Sequence, residues 1–312
     1  MNNRILLFLE VAGIILFMVL VIRLLEFRYS DYKTGVDRQM EVFNSKKNEA
    51  RFLFVGNSHT LPLVSVGDSS VHAPFIASLT FGGTDLFWMN VLMAKFVNEM
   101  PALQTIYLGL DEELLGYNQN VFRVEYSNRA FFRYTDTLYN DTWFNRLLAS
   151  SNFYRANRDL KWLFSKDNLS GNQPISTQFR PVSKEECTKR AKEHSEIRFS
   201  AALIEENIRH LKNIISTAKS SGTEIVIFIP PKRKCYLENR NPSNIRLASD
   251  SILSFVSREK THMINFNKDY LFADSLFSDP DHLSEAGAKY CLTLLLEASG
   301  KKSDSLSKHN KY

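Results

Sequence analysis

A serine stands in Phe54-Val55-Gly56-Asn57-Ser58-His59-Thr60, directly after a short apolar run and on a turn that Gly56 and Asn57 permit. A serine hydroxyl is a weak nucleophile at neutral pH. It needs an imidazole to take its proton and a carboxylate to hold that imidazole in one tautomer. Both lie near the other end of the chain, where Ser278-Asp279-Pro280-Asp281-His282-Leu283-Ser284 sets Asp279 and His282 three residues apart. A helix follows, with Ser284 as its expected N-cap and Gly287 in its first turns, so one rigid loop can hold the acid and the base. Taken singly, each segment reads as a turn or a capping loop. Together Ser58, Asp279 and His282 make a candidate triad for acyl chemistry through a covalent serine ester.

Three residues from opposite ends of a chain meet only if a scaffold brings them together. The 312 residues, 44% of them hydrophobic, are enough for one sizeable α/β domain with an insertion. Arg51 to Val55 reads as a buried first strand. Pro74 to Leu79, Thr105 to Leu110, Glu224 to Ile229 and His262 to Phe266 have the same continuous apolar character, which suits a parallel sheet covered on both faces. Between them Ile204, Ile208, Leu211, Ile215 and Ala218 recur at helical spacing, and Asp85 to Val97 and Ser284 to Ala298 are too long for single strands. The alternation predicts a doubly wound parallel sheet of about five strands, flavodoxin-like, over 51–299. From about 115 to 197 it is interrupted by a stretch rich in arginine and in aromatics such as Phe122, Phe131, Trp143, Phe144, Tyr154 and Trp162. This stretch is too long for a simple loop and is expected to be a helical insertion over the C-terminal edge of the sheet, where such folds place ligands. Its aromatics either stack on sugar rings or fill the insertion's own core.

The Gly56-Asn57-Ser58 turn after strand one, the Gly82-Gly83 pair after strand two and Asp279-x-x-His282-Leu283 before the last helix resemble, in kind and in order, the SGNH/GDSL hydrolase superfamily. The resemblance covers roughly 51–298 without the insertion. It is closest to the membrane-anchored cell-envelope branch, which includes proteins of alginate O-acetylation and teichoic acid D-alanylation. It implies Ser58 as nucleophile, His282 as general base and then acid, and Asp279 as its orienter. The oxyanion donors it implies are the Ser58 amide and that of Gly82 or Gly83. It also implies a glycan or other acyl-ester substrate, a membrane-bound acyl-transfer partner, and no metal or organic cofactor. Two positions depart from the family pattern. Asn57 replaces the usual Asp before the nucleophile, and Asp111, in Tyr107-Leu108-Gly109-Leu110-Asp111-Glu112, falls where the family has an oxyanion-binding Asn. An ionised carboxylate there would repel the oxyanion unless it points elsewhere or another donor compensates. Capping of the next segment is an equal reading of Asp111. A catalytically degenerate protein that keeps the fold and binds glycan or a membrane partner is the alternative function.

The remaining features set the surroundings. Ile5 to Ile22 is apolar except for Glu10 and is followed by Arg23-Leu24-Leu25-Glu26 rather than a small-residue cleavage site, so 1–28 is expected as an uncleaved transmembrane anchor. A polar stalk over 29–50 and a polar tail over 300–312 complete the expected organisation, and the family resemblance implies that the catalytic domain is exported. Cys187, Cys235 and Cys291 allow one disulfide at most, and the net charge of +5 does not point to nucleic acid. His59, next to Ser58, either serves the site or packs and hydrogen-bonds under the insertion, the second being the expectation because a neighbour along the chain points away, and His72, His194, His210, His262 and His309 lie at no ligand spacing. The Lys232-Arg233-Lys234 run after Pro230-Pro231 reads as a solvated basic loop or a contact for an anionic glycan or lipid headgroup.

Overall fold

The five apolar segments become strands: β1 (Phe52–Gly56), β2 (Ile76–Thr80), β3 (Thr105–Gly109), β4 (Glu224–Ile229) and β5 (His262–Asn265). They come from a computed structural model that describes residues 3–31, 33–67, 75–118, 125–153, 178–196, 200–269 and 272–300. All pairings are parallel and the strand order is β2-β1-β3-β4-β5, with Phe52 level with both Ile76 and Thr105. β1 and β3 are buried on both faces, which is why their sequences do not alternate. The order reverses direction between β1 and β3. Open α/β sheets of this winding take their ligands at that point, outside the carboxyl ends of the strands.

The helices, in chain order, are α1 (Asn3–Arg28), α2 (Gly35–Lys46), α3 (Leu61–Gly67), α4 (Leu86–Phe96), α5 (Glu125–Thr135), α6 (Trp143–Ser150), α7 (Lys184–Ser195), α8 (Ala201–Ser220), α9 (Lys234–Glu238), α10 (Pro242–Glu259) and α11 (Glu285–Ala298). Asp85 caps α4 by accepting the Trp88 amide at 3.0 Å, and Ser284 caps α11. One face of the sheet gathers Phe54, Tyr107, Val226 and Phe228 with Leu63 of α3 and Leu292 and Leu295 of α11. α4 and α8 pack on each other, with α8 against β4. The doubly wound α/β reading holds.

The chain divides into two compact units, Met1–Arg38 with Val124–Gln173, and Gln39–Arg123 with Pro174–Tyr312. The second holds the sheet. In it Met40 and Phe43 of α2 are fully buried, and Phe43 meets Phe96 edge-on at 5.3 Å. In the first unit, Glu26 near the end of α1 accepts the amides of Asn152 and Phe153 at 2.7 and 3.3 Å as well as the Ser151 hydroxyl. Phe131 of α5 is buried, whereas Trp143 and Phe144 of α6 are 77% and 52% exposed. Phe122, Tyr154 and Trp162 lie outside the described residues.

α1 runs 26 residues, about 39 Å at 1.5 Å per residue. Among the described residues no helix is long and apolar enough to cross a membrane, so the transmembrane helix expected over 1–28 is not supported. Glu10 lies within the apolar run of α1, and Arg23, Glu26 and Arg28 stand at its end.

Candidate active site

Ser58 leaves β1 in a turn built by Asn57. The Asn57 carbonyl accepts the Thr60 and Leu61 amides at 3.1 and 3.2 Å, and its side-chain Oδ1 accepts the His59 amide at 3.0 Å. Gly56 serves here by leaving room. The Thr60 side chain occupies the place a Cβ would take at Gly56 and also at Gly109, so β1 and β3 end against one threonine. Ser58 is thereby held half-buried at the switch point. It lines an open cavity of ≈ 280 Å³ with His59, Gly83, Thr84, Tyr117 and Arg190. Gly83 has φ of +71°, a left-handed conformation that favours glycine. Gly82, its rival as oxyanion donor, is not among the lining residues.

The loop from Ser278 to Ser284 is pinned at both ends, by the Ser278 amide on the His282 carbonyl at 2.9 Å and by an antiparallel bridge between Phe277 and Leu283. Within it Asp279 accepts the backbone amides of Asp281 and His282 at 3.0 and 2.7 Å. It also accepts Nδ1 of His282 at 2.8 Å. One carboxylate thus fixes the loop, the ring orientation and the tautomer. Burial works against a charged His282, but hydrogen bonds to Asp279 and Asp281 outweigh it and raise the pKa to about 9. Nε2 of His282 is buried and has no hydrogen-bond partner among the described residues, so no bond to Ser58 Oγ is formed. The ring of His59, next to Ser58 in the chain, lies 4.8 Å from that of His282 between centroids.

His59 occupies the centre of the site, not its margin. Its Nδ1 lies 2.6 Å from Asp111 Oδ2 and its Nε2 lies 3.0 Å from Asp281 Oδ2. Ionised carboxylates only accept, so both nitrogens carry protons and His59 is an imidazolium. Burial opposes that charge and so does Lys232, but Asp111 and Asp281 prevail and its pKa is raised.

Asp111 does not face the cavity as a free charge. Asn57 Nδ2 donates to its Oδ2 at 3.0 Å, and its Oδ1 makes an ion pair with Lys232 Nζ at 3.1 Å, without hydrogen-bond alignment. Its carboxyl is buried, which alone would favour the protonated form, yet His59 and Lys232 hold its pKa far below the ordinary range. Lys232 also meets Glu113 at 2.8 Å, and Arg240 pairs with Glu112 and Glu113 at 3.1 and 3.3 Å. This corrects the reading of the basic run. Lys232 and Arg233 are buried, Arg233 donating to the carbonyls of Arg180 and Phe277, and only Lys234 is solvated. The cap reading of Asp111 also fails, since its side chain makes no cap hydrogen bond to the 3-10 turn Glu112–Gly116.

Two residues of α7 complete the site, and neither was singled out by sequence. Arg190 Nε lies 3.3 Å from both oxygens of Asp281, and His194 Nδ1 lies 3.1 Å from Asp281 Oδ2 and from the Tyr236 hydroxyl. A disulfide between Cys187 of α7 and Cys235 of α9, Cα atoms 5.9 Å apart, ties this helix beside Tyr236. Asp281 is the hub, bound by His59, His194 and Arg190 and 3.4 Å from His282 Nδ1. Ligating atoms of His59, His194 and Asp281, and of Asp279, Asp281 and His282, come within 4.8 Å of one another. They are already hydrogen-bonded, and the guanidinium of Arg190 supplies the positive charge that a metal would bring. Sequence spacing could not reveal that His59 and His194 converge on Asp281, because the three lie in different elements.

No family model matches the sequence, and no curated protein matches it. Solved structures that align with the chain include a GDSL-like lipase from Bacteroides thetaiotaomicron, at 9% identity and TM-score 0.45 over 86% of this chain and 98% of that one. An acetyl xylan esterase aligns at 10% identity and TM-score 0.41, over 79% of this chain and 98% of that one. A variant of an acetyl-xylooligosaccharide esterase from Geobacillus Stearmophilus does so at 11% and 0.39, over 82% and 96%. Likenesses this loose carry no weight for the chemistry of this chain.

Proposed function

We propose that this chain is a serine-dependent acyl-ester enzyme of SGNH type, acting on an O-acylated glycan of the cell envelope. The observation that carries the reading is the Asp279–His282 pair, with His282 Nε2 left without a partner close to the turn that presents Ser58. Ser58 Oγ attacks the ester carbonyl while His282, in its neutral form, takes the proton. The tetrahedral oxyanion is met by the amides of Ser58 and Gly83. Collapse expels the alcohol, to which His282 returns the proton, and leaves the Ser58 ester. Water or a sugar hydroxyl then takes the acyl group in the same way, giving hydrolysis or transfer. The small cavity beside Ser58 favours a short acyl group such as acetyl. The replacement of the oxyanion Asn by Asp111 loses its force as an argument for a degenerate protein, because that carboxylate is neutralised by Lys232 and His59.

Two features support an exported, membrane-attached enzyme. Apolar side chains stand exposed around α1, Ile14, Phe17 and Leu24 among them at 60 to 68%, more than a helix in water would leave uncovered. The Cys187–Cys235 bond belongs to an oxidising compartment. In full-length protein in detergent, p-nitrophenol release from p-nitrophenyl acetate is expected to fall about 10³-fold or more in Ser58→Ala. Unchanged release in that variant would sink the reading. Attachment through α1 predicts that the chain stays with membranes through an alkaline wash, and release into the wash would refute it.

A further inference from the structure

The cavity next to Ser58 contains one cationic fork that its surroundings do not use up. Arg190 is held by a single nitrogen, Nε, against both oxygens of Asp281 at 3.3 Å. Its two Nη nitrogens make no hydrogen bond among the described residues, and the side chain remains 39% exposed in the lining of the cavity. The other charged groups there are engaged. Asp111 and Glu113 are paired with Lys232, and His59 is bonded through both nitrogens. The position of Arg190 is also set with care, since Cys187, one turn earlier on α7, is bonded to Cys235 and His194, one turn later, is bonded to Asp281 and Tyr236. A side chain as entropically costly as arginine, fixed by a disulfide and a carboxylate with its planar donors left open, has the form of a bidentate anion receptor.

We propose that Arg190 is the specificity-determining residue of this cavity, recognising a carboxylate or phosphate group carried by the ester substrate. The inference rests on the acyl-ester reading for its placement beside Ser58 and adds the substrate class: an anionic glycan ester, with the charge on the alcohol side. A positively charged fork in a half-enclosed cavity distinguishes such a substrate from a neutral one by charge-assisted bonds that the neutral analogue lacks.

The test compares 4-acetoxybenzoate with its neutral analogue 4-acetoxybenzamide in the full chain and in Arg190→Gln and Arg190→Lys. The ratio of kcat/KM, anionic over neutral, is expected to fall about tenfold or more in Arg190→Gln, chiefly through KM, with Arg190→Lys in between. A role confined to holding Asp281 would lower kcat for both esters alike and leave the ratio unchanged, and that result overturns the proposal. If the folded wild type cleaves neither ester, the acyl-ester reading is what fails, and a second arm decides for Arg190. Inorganic phosphate binding, followed by titration calorimetry, is lost in Arg190→Gln if the residue is an anion receptor. Equal phosphate binding in the two proteins, or none in either, rules it out.

Discussion

Two histidines lie with their rings 4.8 Å apart, and their surroundings assign them opposite capacities. His282 has Nδ1 on Asp279 and an Nε2 without a hydrogen-bond partner among the described residues, whereas His59 has a carboxylate on each nitrogen. A base needs an accessible lone pair. His282 can offer one when neutral, and His59 cannot, because losing either proton would leave a bare nitrogen facing a buried carboxylate. The number of carboxylates around an imidazole does not measure its catalytic fitness, while the unpaired nitrogen does.

The sharpest way to break this contrast is to remove each ring in turn. His282→Gln is expected to lower kcat/KM for p-nitrophenyl acetate about 10³-fold or more with little loss of fold. His59→Gln leaves Asp111 and Asp281 buried with less positive charge, so its main effect is a loss of about 3–5 kcal/mol in urea unfolding, with a smaller effect on rate. If His59→Gln proved the more damaging to rate at full stability, the assignment of the base to His282 would be wrong.

Lys232 gives the next largest effect. Its side chain is wholly buried between Asp111 and Glu113, so Lys232→Met leaves two carboxylates without their nearest common cation. About 3–5 kcal/mol of stability is expected to disappear, measured by denaturant unfolding. A neutral outcome would mean that Arg240 and His59 suffice to hold the acidic cluster.

The pH dependence of the two histidines sharpens the same comparison. The base must be neutral, and with a pKa near 9 only a small fraction of His282 is neutral at pH 7. kcat/KM is therefore expected to climb roughly fiftyfold between pH 7 and 9 and then level off. Stability moves the other way. A histidine whose pKa is raised in the fold contributes stability that is full below its unfolded value near 6.5 and is lost as the pH rises through about 9. A rate that is flat from pH 7 to 9 would show His282 already neutral at rest.

What the sequence made legible was local. The strands announced themselves as apolar runs, and Asp279 and His282 share a loop of seven residues whose capping serine is itself a sequence signal. Ser58 was legible because a strand, a glycine and a turn former precede it. His59, Asp281, Arg190, His194 and Lys232 were present in plain view but unreadable, since each acquires its meaning from a partner on another element: Asp111 for Lys232, Asp281 for Arg190. A Pro-Pro-Lys-Arg-Lys run looks solvated by composition, yet all of it but Lys234 is buried, and Lys232 is met there by acidic residues 119 to 121 positions earlier, Asp111 and Glu113. No periodicity encodes that. The same holds for Cys187 and Cys235, 48 residues apart, whose pairing is a property of α7 lying on α9.

The two positions at which the sequence departs from the pattern it resembles, Asn57 and Asp111, are in contact: Asn57 Nδ2 donates to Asp111 Oδ2 at 3.0 Å. Asn57→Asp alone would set two carboxylates against each other in a buried place. Asp111→Asn alone would take the counter-charge from His59 Nδ1 and part of it from Lys232. The double variant restores an amide–carboxylate pair with donor and acceptor reversed, so it should be more stable than the sum of the two single losses by about 1–3 kcal/mol, read from a double-mutant cycle of urea unfolding. Additivity within about 0.5 kcal/mol would separate the two positions and leave Asp111 to be explained by Lys232 and His59 alone.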